Sequence, residues 1–81
     1  MKWLDKGNDD FCNKIKANLS VLLPYETISA GIALTPEGKM MRAVGIGEHT
    51  YFIDELFSPS ASHIEVAKEI CKQYKGILQL R

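Results

Sequence analysis

The stretch AGIALTPEGKMMRAVGIG, residues 30–47, decides the fold. It divides at TPEGK into two runs with a two-residue period, the signature of paired strands. Pro36 takes the first corner of the turn, and Gly38 stands where a type I turn followed by a bulge needs positive φ. Such a turn sets Thr35 opposite Lys39, and the register of the whole hairpin follows. Leu34 then faces Met40, Ile32 faces Arg42, Ala30 faces Val44 and Ile28 faces Ile46. Every even position except Arg42 is apolar, so turn chemistry and hydrophobic pattern agree. The odd positions differ sharply: Thr27, Ser29, Gly31, Ala33, Met41, Ala43, Gly45 and Gly47 carry almost nothing larger than threonine. One face is built for a core, and the other is bare.

Working outward, residues 7–24, GNDDFCNKIKANLSVLLP, predict a helix before the hairpin. Asn8 is the expected N-cap, Asp9 and Asp10 complement the positive end of the dipole, and Pro24 ends the helix. Phe11, Cys12, Ile15, Leu19 and Leu22 fall within an arc of about 100°, a one-sided face for a flat partner. After the hairpin, TYFI (50–53) reads as a third strand and DELFSPS (54–60) as a loop. A second helix follows, starting either at Ser58 with Pro59 or at the capping box Ser62-x-x-Glu65, and closing at Gly76. His63, Ile64, Val66, Ala67, Ile70, Cys71 and Tyr74 form its inner face. ILQL, residues 77–80, is a candidate for a short final strand, which would make a fourth. The expected architecture is a single α+β domain over residues 1–81, ordered α-β-β-β-α. It has two layers: an antiparallel sheet of three to four strands with both helices on one face.

Composition narrows the function classes. The chain is 46% hydrophobic and 25% charged, which suits a folded domain and not a disordered segment. Ten basic residues balance ten acidic ones, so no long-range field draws nucleic acid or anionic membrane. The opening MKWLDKGNDD lacks the apolar run of a signal peptide, and no segment reaches membrane-spanning length; a cytoplasmic protein with reduced Cys12 and Cys71 is expected. Both cysteines fall on the apolar faces of helices, as core residues do. No C-x-x-C pair is present, which excludes a thioredoxin motif or zinc ribbon. GIGEHT, 45–50, lacks the third glycine and the βαβ setting of a dinucleotide fingerprint. Ser58, Ser60 and Ser62 lack a nucleophile elbow.

The order α-β-β-β-α resembles that of double-stranded RNA-binding domains, a family whose second helix opens with a lysine cluster. Here the corresponding SASHIEVAKE, 60–69, has one lysine and two glutamates, so nucleic acid is only the third functional reading. The second is a small-ligand or metal site around His49, Asp54 and His63, with Glu48 and Glu65 nearby in sequence. The first reading is a non-enzymatic binding protein without a cofactor: an adaptor, an inhibitor or a homodimer. It would present the bare face, Ser29, Gly31, Ala33, Met41, Ala43 and Gly45, or an exposed sheet edge, to a protein partner or a second copy.

Overall fold

A computed structural model describes residues 2–79. The order is β1 (Lys2–Lys6), α1 (Asp10–Leu22), β2 (Ile28–Leu34), β3 (Met40–Ile46), β4 (His49–Phe52), α2 (Ile53–Leu56) and α3 (His63–Gln79). The four strands form one antiparallel sheet in the order β1-β2-β3-β4. The central hairpin has the register its turn dictates, with all seven pairs from Ile28↔Ile46 to Leu34↔Met40 in place. Thr35 N–H donates to the Lys39 carbonyl at 2.8 Å, Gly38 N–H donates to the Thr35 carbonyl at 2.9 Å, and Gly38 has φ +85°. A side chain at that φ is strained, which is why glycine occupies it.

Both long helices cover the even face. Cys12, Ile15 and Leu19 of α1 and Val66, Ala67, Ile70, Cys71 and Tyr74 of α3 share one core with Ile28, Ala30, Val44, Ile46, Tyr51 and Ile53. The helices run side by side in the same direction. The Phe11 and His63 rings meet edge to face near their starts, and Leu22 shares a groove with Gly76 and Gln79 near their ends. Their cover stops short of the hairpin turn, so Met40 stays exposed and Ile32 and Leu34 are only half-buried.

Several local expectations are corrected. Asp9, not Asn8, caps α1: its carboxylate accepts from Cys12 N–H at 2.9 Å, while Asn8 donates to Asp5 at 2.6 Å. Leu22 is 41% exposed, and the capping Leu23 is buried in its place. Pro24 forces Leu23 out of the helical region, which turns its side chain inward. The loop after β4 contains the single turn α2. At α3 the choice between two starts falls to Ser62, whose hydroxyl accepts from Glu65 N–H at 3.2 Å. Gly76 does not end α3, and residues 77–79 continue the helix where a final strand was expected; Leu80 lies outside the described residues. Glycine favours a helix end but does not enforce one, and a helix already packed along its length can run through it. The fourth strand comes from the opposite end of the chain.

Candidate interaction surface

That extra strand changes the meaning of the bare face. β1 pairs with β2 as Lys2↔Leu34 and Trp3↔Ala33, then slips by one residue and resumes as Asp5↔Ile32 and Lys6↔Gly31. The bulge brings the β1 backbone hard against Gly31. A Cβ at Gly31 would lie 2.0 Å from the Asp5 carbonyl oxygen and 2.9 Å from the Lys6 Cα. Glycine in this strand does mark a close backbone approach, and the backbone is the chain's own.

The register puts Trp3 and Lys6 of β1 and Thr50 and Phe52 of β4 on the same side as the small residues. Trp3 reaches across the sheet: a Cβ at Gly45 would sit 3.4 Å from its Cζ2. Lys6 places its ammonium 5.4 Å from the Trp3 ring centroid, a cation–π contact. Phe52 stands opposite Ala43 from the other edge. Ala33 and Ala43 are accordingly fully buried, and Gly31 and Gly45 are buried too, whereas Ser29 and Met41 are half-buried. The central strands carry small residues because the edge strands carry large ones that lie over them. What the face presents to solvent is therefore Trp3, Met41 and Phe52, all half-buried, with half-buried Ser29 and Thr50 and exposed Lys6 beside them, above a Gly/Ala floor.

Lys2 from β1, Leu34 at the end of β2, Thr35 and Pro36 from the hairpin turn, and Thr50 and Phe52 from β4 border a groove of about 680 Å³ at the hairpin-turn end of the sheet, which Thr50 and Phe52 join to this face. Residues from both edges of the sheet line it. Among these the sequence pointed only to the floor. Trp3 and Leu4 are adjacent, and the bulge between Trp3 and Asp5 destroys the alternation by which a strand announces itself. The readable signal was indirect: glycines at 31 and 45 meant that something came close.

The residues of the second reading lie in separate contacts. His49 packs edge to face on Tyr74, with ring centroids 5.7 Å apart, and His63 does so on Phe11 at 6.5 Å. Asp54 is clamped by Arg42, whose Nε and Nη2 donate to one carboxylate oxygen at 2.8 and 2.6 Å while its backbone N–H donates to the other at 2.9 Å. The Arg42 guanidinium also lies 4.8 Å over the Phe11 ring, which explains how an arginine occupies the otherwise apolar even face. Among the described residues, no group of three or more His, Cys, Asp or Glu side chains is gathered as a metal site. Cys12 is fully buried, its thiol donates to the Gly31 carbonyl at 3.7 Å, and burial, with help from Asp9, pushes its pKa up to about 12. That is the setting of a structural thiol and not of a nucleophile. Ser58 and Ser60 share a hydroxyl–hydroxyl bond of 2.9 Å in the loop before α3.

The Asp54 clamp makes a pH prediction. Burial raises the Asp54 pKa, but the hydrogen bonds and charge of Arg42 outweigh it and hold the carboxyl below its usual 3.8. A depressed folded-state value means stability that is complete above the unfolded value and lost as pH falls through the folded one. Asp54→Asn should therefore cost about 1 kcal/mol at pH 7, the modest worth of a pair that is a third exposed. The gap between wild type and variant, read by urea denaturation, should close below the usual carboxylate range. A gap that stayed constant into acid would mean that the ion pair does not carry it.

No helix among the described residues is long and apolar enough to cross a membrane. Comparison of the chain with family models, with curated proteins and with solved structures finds no match in any of the three.

Proposed function

We propose that this chain is a small non-enzymatic interaction module, an adaptor, inhibitor or homodimer, whose open sheet face receives a protein partner or a second copy. The observation that carries this reading is the pair of half-buried aromatic rings, Trp3 and Phe52, on a grooved face that no helix covers. A sheet face meant for water carries charged and polar side chains, whereas aromatic residues and methionine are enriched where proteins meet. A net charge of zero also lowers the repulsion between copies. Both histidines, Asp54 and Cys12 are engaged in packing, an ion pair or the core, which supports binding over catalysis. Two buried free thiols fit a reducing, cytoplasmic setting.

The test uses Thr50→Arg, at a half-buried position beside the groove and opposite Gly45. Light scattering over a concentration series should give twice the 9.1 kDa monomer mass for wild type and the monomer mass for the variant, with unchanged thermal melts. Trp3, the single tryptophan, reports on the same face through its emission, which should shift on association. A wild type that is monomeric throughout eliminates the homodimer. Affinity capture from the native host, wild type against Thr50→Arg, then decides the adaptor, and identical capture by both removes the open face from consideration.

A further inference from the structure

A second groove, of about 540 Å³, lies on the other side of the molecule between the end of α1 at Leu22 and the stretch of α3 from Lys68 to Gln79. Leu22 and Cys71 form its apolar wall, and Gly76, with nothing within 4 Å of where a Cβ would stand, leaves it open. Lys68, Lys72 and Lys75 line the same groove. Their 4-3 spacing sets them on one stripe about 10 Å long. The ion pairs among the described residues are Lys14–Asp10 and Arg42–Asp54, so neither binds these three lysines. Of the glutamates on the same helix, Glu69 is bonded by Gln73 at 3.3 Å. Val21, Leu22 and Leu78 add exposed apolar surface around this end of the helix pair.

We propose that this groove docks an acidic amphipathic segment of a partner protein, with carboxylates on Lys68, Lys72 and Lys75 and apolar side chains on Leu22 and Cys71. Charge complementarity selects this occupant: three cations in a row beside an apolar wall match a segment with alternating acidic and apolar positions. A second copy is disfavoured, because a two-fold axis through the groove sets lysine against lysine. A bilayer fits less well: Val21, Leu22 and Leu78 are exposed here, but the wall that the lysines border at Cys71 is buried, and a chain of zero net charge has no general attraction to anionic lipid. This groove and the open sheet face lie on opposite sides of the sheet, so one chain can hold two partners at once.

The test is an NMR titration of the labelled protein with a synthetic amphipathic helix bearing leucines on one face and glutamates on its flanks, to about 1 mM. A control peptide replaces each glutamate by lysine, and vesicles of phosphatidylcholine and phosphatidylserine form a third arm. Shifts confined to α1 and α3 around Leu22 and Lys72, for the acidic peptide only, are expected. The exposed double variant Lys68→Glu/Lys72→Glu should weaken binding by about tenfold or more with its melt unchanged. Thr50→Arg should bind as wild type does, which separates this site from the open face. The proposal is overturned if the acidic peptide causes no shifts, if the control binds equally, if the double variant binds as tightly, or if only vesicles bind.

Discussion

Gly31→Ala is expected to lower stability by about 3 kcal/mol, in the upper range for forcing an atom into an occupied site. The atom in the way is backbone, the Asp5 carbonyl oxygen 2.0 Å from the new Cβ, so no rotamer change relieves the clash. Either the β2–β3 hairpin distorts or β1 leaves the sheet. The second is cheaper, since β1 is an edge strand and pairs with β2 alone. Release of β1 also takes Trp3 off Gly45. The variant should therefore show a lower urea midpoint and, while still folded, a red-shifted Trp3 emission. Wild-type stability with wild-type emission would mean that β1 does not pack at Gly31 as described.

Ala43→Arg is expected to cost a similar amount, about 3 kcal/mol, through overpacking and a buried charge together. Ala43 is fully buried on the face away from the helices, between Gly31 on β2 and Phe52 on β4. An arginine there must displace the aromatic cover or bury its guanidinium without a partner. The core under the helices keeps its contacts, so the loss should appear as a lower melting temperature of a cooperative transition. Thr50→Arg on the same face should stay within about 0.5 kcal/mol of wild type, as surface changes usually do. A stable Ala43→Arg would show that Trp3 and Phe52 do not lie over this part of the sheet. The contrast separates a floor position from a rim position, which is what the binding proposal requires.

The two variants sit in a region where sequence and structure part. The central hairpin was legible in full because its turn chemistry and its two-residue period are local and point to the same register. The two long helices were legible for a similar reason, their apolar arcs being properties of consecutive residues. Strand β1 was not. Five residues interrupted by a bulge carry no period, and only pairing with β2 makes them a strand. The continuation of α3 through Gly76 was hidden too, because the local preference of glycine for a helix end competes with packing along the rest of the helix.

The candidate surface shows the same division. Its floor, Gly31, Ala33, Ala43 and Gly45, stands out in the sequence as a row of small residues on one face of a hairpin. What covers that floor comes from Trp3 and Phe52, which are distant in sequence from one another and from most of the floor. The separation of His49, Asp54 and His63 likewise depends on which ring or cation each one meets, Tyr74, Arg42 and Phe11 in turn. Sequence by itself determined the hairpin, its register, the two faces and the helices that cover one of them, because periodicity and turn geometry act between near neighbours. Only the tertiary structure decided that the small-residue face is roofed by the chain's own edge strands, because close approach of backbones far apart in sequence is a property of the assembled sheet.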